Sequence, residues 1–195
     1  MKLTKLNVGI DPLGLARAAW QLVSSGQIQS GGSTITMQVA KNYFLSHERT
    51  FARKFREILL ALEIEKTLSK DEILELYFNV IFLGHRAYGV NAASQIYYGK
   101  NLDELTLAQA AMVAGLPKAP SKYNPIANPE RAKERRDWIL GRMLKLGFIE
   151  PYDFEQAIEQ PVTASLHGVQ LDLTAPYVAE EARRIALEIF DDRAY

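Results

Sequence analysis

Twice in this sequence a hydroxyl residue stands three places before a Glu or Gln at the head of an apolar, helically spaced run: Ser69 with Glu72, and Thr106 with Gln109. In such a capping box the hydroxyl accepts the backbone N–H of the third helical residue, and the longer side chain reaches back to the N–H of the cap. The pattern fixes where a helix starts, and it makes no sense at the start of a strand. The rest of the chain is punctuated in the same way. Asp11 and Pro12 read as N-cap and first helical residue of a helix through about Val23, ended by Gly26 and the loop SGQIQSGG. Ser33 or Thr34 caps a second helix through about Tyr43, and a third runs from about Thr50 to Lys66, with Phe51, Phe55, Ile58, Leu59 and Leu62 at helical spacing. The Ser69 helix reaches Asn79, and Gly89 to Tyr98 forms a short one closed at Gly99. The Thr106 helix stops at Gly115 and Pro117. After the proline-rich connector LPKAPSKYNPIANP, Asn128 and Pro129 open a long amphipathic helix ending at Gly147, followed by a short one from Pro151 to Ile158. Residues 161–174 are read as a strand or two, and Pro176 to Phe190 as helix. The expected fold is mainly α: one domain over residues 1–160, with a loosely attached linker over 161–195.

At 195 residues and 48% hydrophobic content the chain is large enough for one domain with its own core. Lys plus Arg and Asp plus Glu both number 23, which speaks against a general nucleic-acid binder, whose affinity rests on a net basic surface. Locally the balance shifts. Lys41, Arg49, Arg53, Lys54 and Arg56 face Glu48 as their counter-charge across that stretch, which suits a phosphate or an anionic surface and equally a solvated helix face. Without cysteines, neither a disulfide framework nor a thiolate metal site arises. No run of 18 apolar residues occurs, so any membrane span would lie outside the sequence.

The stretch from Gly31 to Asn42, GGSTITMQVAKN, carries the most chemistry. Paired glycines before a Ser/Thr-capped helix leave backbone N–H groups at a helix N-terminus, where anions bind well. Ser33, Gln38 and Lys41 add side-chain donors, and Thr34, Gln38 and Lys41 share one helical face. An ordinary capped helix after a flexible turn explains the same residues. Further on, Glu57 lies four places after Arg53 and three after Lys54, so all three meet on one side of a helix. Two cations beside one carboxylate keep it ionised and suit a diphosphate nearby. A surface salt bridge is the plainer alternative.

These segments resemble the motifs of the glycosyltransferase family 51 (transglycosylase) domain of class A penicillin-binding proteins. Its G-x-S-T-x-T-x-Q-x-x-K-N stands unbroken at Gly31 to Asn42, and its R-K-x-x-E is Arg53, Lys54 and Glu57. Its K-x-x-I-L-E-x-Y-L-N reads Lys70, Ile73, Leu74, Glu75, Tyr77, Phe78, Asn79, with Phe for Leu. A last element appears as Gly89, Val90, Ala92, Ala93, Tyr97, Tyr98, Gly99, Lys100, with Tyr for Phe. The similarity covers about Gly9 to Ile149. It implies a lysozyme-like helical glycosyltransferase fold and an activity that polymerises lipid II onto a growing glycan strand with release of undecaprenyl diphosphate. By the same resemblance Glu57 is the second acidic catalytic residue, near the diphosphate. Ser33, Thr34, Gln38, Lys41, Asn42, Arg53 and Lys54 line the substrate cleft, and Glu75 and Asn79 support it. A divalent cation, Mg or Mn, at the diphosphate is implied by resemblance, with no metal ligands assigned. The implied setting is the periplasmic face of the bacterial inner membrane, in contact with the membrane surface and not with nucleic acid. Phe44, Leu45, Ile81 and Phe82 are either lipid or membrane contacts or core.

The family's first motif, E-D-x-x-F-x-x-H-x-G, supplies the glutamate taken as general base. Gly9 matches its final glycine, but counting back puts Asn7 at the histidine, Thr4 at the phenylalanine and Met1 at the aspartate. The glutamate falls one residue before Met1. The serine motifs of a transpeptidase domain, S-x-x-K and K-T-G, do not occur, although the full-length family carries that domain. Two other readings stand beside the enzyme: a non-catalytic module that binds lipid diphosphates or a cell-wall partner, and a lytic enzyme, which has no use for a diphosphate cradle. Loss of a general base costs about 10²–10⁴-fold in rate. The 195-residue chain is therefore expected to be at most feebly active, and near-normal polymerisation of labelled lipid II by it would contradict that.

Overall fold

A computed structural model describes residues 9–25, 32–45, 50–168 and 180–185. Among them the chain forms eight α-helices in the order expected: α1 (Pro12–Ser25), α2 (Ile35–Phe44), α3 (Phe51–Thr67), α4 (Lys70–Val80), α5 (Val90–Tyr98), α6 (Leu107–Gly115), α7 (Pro129–Lys145) and α8 (Pro151–Glu159). Residues 180–185 are also helical. Both capping boxes form, at Ser69–Glu72 and Thr106–Gln109. Thr34 and Thr50 cap α2 and α3 through their hydroxyls, and Gly99 closes α5 in the left-handed conformation at φ 63°. The proline-rich connector makes a single 3-10 turn at Leu116–Lys118 and then a series of turns.

One half of the domain is α2, α3 and α4 packed on one another, and the other is α6, α7 and α8, with α5 between α4 and α6. The main core gathers Val39, Ile73, Tyr77, Leu83, Tyr97 and Met112 around α5. A smaller core of Ala108, Ala111, Leu140 and Ala157 lies where α6, α7 and α8 meet. Tyr97 ties the first core together. Its buried hydroxyl donates to the Leu83 carbonyl at 2.9 Å, in the loop that returns from α4 to α5. That loop closes as a tight turn at His85 and Arg86, both with positive φ (44° and 61°), bonded from the Ala87 amide to the Gly84 carbonyl. Such a turn matches the twist of the two short extended arms it joins, and ordinarily takes Asn-Gly.

The strand expected over 161–174 is not there in its described part, 161–168. Among the described residues no strand pairs with this stretch. Its Ser165 and His167 amides donate instead to the Tyr97 and Ile96 carbonyls at 3.0 and 2.9 Å, the acceptors left over in the last turn of α5. Val162 and Ala164 pack on the main core. Arg136, on α7, secures the same region from below. It is 1% exposed, and its guanidinium donates to the Gln160 and Ile158 carbonyls at 2.6 and 3.0 Å, capping the end of α8. Residues 169–179 and 186–195, with the remainder of that strand and much of the last expected helix, lie outside the described residues.

Burial pushes the phenols of Tyr97 and Tyr98 up to about 12. The unfolded chain releases these protons near pH 10 and the folded chain does not, so between pH 10 and 12 the unfolded state binds fewer protons. Stability is full below pH 10 and falls through that window. Urea titrations at pH 8, 10 and 11.5 are expected to show the fall. Tyr97→Phe is expected to flatten it while costing about 1–2 kcal/mol at pH 8 through the unpaired Leu83 carbonyl.

Candidate functional site

The inner face of α3 is not its aromatic stripe. Phe51, Phe55 and Leu59, spaced every fourth residue, point outward, Phe51 being 88% exposed. Glu57, Ala61 and Ile64 are the buried residues of this helix. A carboxylate at 2% exposure needs partners, and Glu57 finds two on its own helix. Arg53 Nη1 donates to Oε2 at 2.7 Å, and Lys54 Nζ to Oε1. The Lys54 ammonium also donates to Ser33 Oγ at 2.6 Å, just before α2. Residues of the Gly31–Asn42 and Arg53–Glu57 motifs thus meet in one cluster, with two cations to one carboxylate. The buried Arg53 Nε has no hydrogen-bond partner among the described residues.

A second carboxylate, part-buried with its side chain 8% exposed and unread in the sequence, lies two turns further along α3. Glu65 accepts from the Thr36 hydroxyl on α2 and from Lys70 at the start of α4. Its partners are 29 and 5 residues away, a separation that no local spacing signals. Gly9 is pressed into the same corner. Its carbonyl accepts from the Thr34 hydroxyl at 2.6 Å, and a Cβ at Gly9 would stand 2.5 Å from Glu65 Cγ and 2.9 Å from the Ala61 carbonyl oxygen. Gly9 has φ +75°, so both space and backbone demand glycine. Gly32 is similarly close to α1: a Cβ there would meet the Gly14 carbonyl at 2.7 Å.

Of the other expected site residues, Thr34 is spent on structure, accepting the Met37 amide as N-cap and donating to Gly9. Gln38 and Lys41 are half-buried on α2, and Asn42 is exposed near its end. Glu75 and Asn79 lie one turn apart on α4 and are both exposed. Asn79 stands where the chain re-enters: a Cβ at Gly89 would come within 2.7 Å of the Asn79 carbonyl oxygen. Of the four apolar candidates, Ile81 is core, Leu45 is half-buried, and Phe44 and Phe82 are exposed. Gly31 and Arg49 are outside the described residues. No group of three His, Cys, Asp or Glu side chains able to hold a metal occurs among the described residues.

This mainly helical domain, with its buried Arg–Lys–Glu cluster joined to a capped helix, belongs to the transglycosylase family, whose model matches residues 5–144. Its sequence is 60% identical over 187 residues to penicillin-binding protein 1A of Pseudomonas aeruginosa and 56% identical over 187 residues to that of Neisseria gonorrhoeae. Each alignment takes in 96% of this chain and 23% of the relative, so the chain spans about a quarter of their length. The crystal structure of penicillin-binding protein 1A from Haemophilus influenzae superposes with a TM-score of 0.52 at 37% identity, covering 83% of this chain and 21% of that one.

The cluster makes a distinction that urea denaturation can read. Glu57→Gln is expected to cost about 3 kcal/mol, because it leaves Arg53 half-compensated in a buried place. Lys54→Met is expected to cost about 1 kcal/mol or less, since the lysine is a third exposed and Arg53 still pairs with Glu57.

Proposed function

We propose that this domain is a peptidoglycan glycosyltransferase that elongates glycan strands from lipid II and releases undecaprenyl diphosphate. The observation that carries this reading is the triad of Arg53, Lys54 and Glu57, joined through Lys54 to Ser33 at the head of α2. In the reaction an acceptor 4-hydroxyl attacks the anomeric carbon of the donor sugar with inversion. The bond from that carbon to the diphosphate oxygen breaks, and the electron pair leaves on the diphosphate. Charge develops on the leaving group, and fixed cations placed beforehand stabilise it best. Lys54 and Arg53 are such cations, held by Glu57 before substrate arrives. Lys41, Gln38 and Ser33 extend the cradle along α2. The proton of the attacking hydroxyl goes to the first-motif glutamate of the family, to which Glu57 is the second acid.

The described residues do not fit a protein-held divalent cation at this point. Both Glu57 oxygens are already taken by cations, and no ligand group of three surrounds it. Charge neutralisation is therefore assigned to Arg53 and Lys54. No helix among the described residues is long and apolar enough to cross a membrane. The membrane setting, the periplasmic face and a following transpeptidase domain belong to the proposal for the whole protein. The outward Phe51, Phe55 and Leu59 stripe supplies an apolar face for a membrane surface.

In the full-length protein, Glu57→Gln and Lys54→Met are each expected to lower polymerisation of labelled lipid II by about 10²-fold or more. Lys54→Met is also expected to weaken binding of a lipid diphosphate in an equilibrium assay. Binding lost with polymerisation unchanged would overturn the catalytic assignment. Intact binding in a full-length protein that never polymerises would favour the non-catalytic diphosphate-binding module.

A further inference from the structure

Away from this cluster, on the opposite half of the domain, α7 presents a second concentration of positive charge. Arg135, Trp138, Arg142 and Lys145 recur at three- and four-residue steps and so lie along one face. Arg135 lies near two rings, its guanidinium carbon 4.4 Å from the Trp138 ring centre and 5.9 Å from that of Tyr123. Lys118 and Lys122 stand over the same Tyr123 ring at 5.8 and 5.6 Å. Beyond Trp138, a shallow groove of about 560 Å³ opens between that ring, Gly141, Arg142 and Lys145.

What marks this band is an excess of positive charge. Of the two acids beside it on the helix, Asp137 is engaged by Lys133 and Arg136, which leaves exposed Glu134 against the five cations. From Trp138 to Ile149 the sequence has no Asp or Glu. None of the five cations of the band makes an ion pair among the described residues, and the buried Arg135 Nε has no hydrogen-bond partner there. In a chain with 23 basic and 23 acidic residues this is a local excess, not a general one. Trp138 is 58% exposed, so the ring face that Arg135 does not cover is open to a ligand.

We propose that this band is a docking surface for an acidic peptide segment of a partner protein. From Arg135 to Lys145 the helix rises about 15 Å, the span of about five extended residues. The band follows one face of α7, with Lys118 and Lys122 beside its start, a narrow track that suits a single strand of peptide better than a flat bilayer or a duplex. A guanidinium placed over the Trp138 ring is held near one position and can pair with one carboxylate. The groove beside Trp138 and Gly141 takes an apolar or aromatic side chain between two acids. Exposed Leu146 and Phe148 at the end of α7 make an anionic membrane the rival occupant. The proposal is independent of the reading of the Glu57 cluster, because α7 packs on α6 and α8 whereas α3 packs on α2 and α4.

The test uses the chain with Trp20→Phe, so that Trp138 is its single tryptophan. The probe is a peptide of about seven residues alternating glutamate with leucine and tyrosine, a length matched to the band. Saturable change of Trp138 fluorescence is expected, weakened about tenfold between 50 and 300 mM salt. Arg142→Glu with Lys145→Glu is expected to weaken binding at least about tenfold, and Trp138→Ala, followed by the anisotropy of a labelled peptide, about three- to tenfold. All three side chains are on the surface, and an unchanged circular dichroism melt confirms that the variants fold. The proposal is overturned if the peptide does not bind, or if its glutamine counterpart binds equally. It is also overturned if the charge-reversed protein binds as well, or if phosphatidylglycerol vesicles or a single-stranded oligonucleotide compete it away at lower concentration.

Discussion

Two carboxylates turned inward on α3, Glu57 buried and Glu65 part-buried, set the terms for half of this domain. An ionised side chain removed from water must be matched by cations and donors, or the fold loses several kcal/mol. Glu57 takes its cations from its own helix, and one of them reaches on to Ser33. Glu65 takes a hydroxyl from α2 and an ammonium from α4. Three helices are thereby held at fixed azimuths by polar contacts of defined length, where apolar packing alone would allow them to rotate. Outside that frame α3 is free to turn its aromatic residues to the surface, and it does.

The other half is organised differently. Around Tyr97 and at the meeting of α6, α7 and α8 the cores are apolar. The buried polar groups there serve mostly backbone: Tyr97 the Leu83 carbonyl, Ser94 that of Lys100, Asn124 the amides of Ile126 and Ala127, and Arg136 the final carbonyls of α8. The Arg53–Lys54–Glu57 cluster therefore sits where charge enters the interior, beside a main apolar core that runs from α2 and α4 to α5 and α6.

Much of this architecture was legible because helix ends are written locally. Thr34, Thr50, Ser69, Thr106 and Gly99 each act on neighbours within four residues, and each does what its position suggests. The Arg53–Lys54–Glu57 cluster was legible for the same reason, with spacings of three and four. Arg136 and Glu65 were not, since their key partners come from 22 to 29 residues away and any surface helix offers such residues. The stripe of Phe51, Phe55 and Leu59 has the spacing of a core face, and only the burial of Glu57 shows that the helix is turned the other way. The strand over 161–168 failed because extended backbone needs acceptors, and spacing does not say whether another strand or a helix end provides them.

The attachment of 161–168 to α5 has a mechanical consequence. Its bonds to the Tyr97 and Ile96 carbonyls lie side by side at a helix end, and Gln109 holds Thr163 nearby at 3.3 Å. Force arriving through the chain beyond residue 168 meets His167 first and Ser165 next, so the bonds open in sequence, as a zip does, and each yields at low load. The Arg136 clamp on Gln160 and Ile158 comes last and is the firmest. A pull on the chain past residue 168 would load these contacts with α5 and α7 before it reached α3, which carries Glu57.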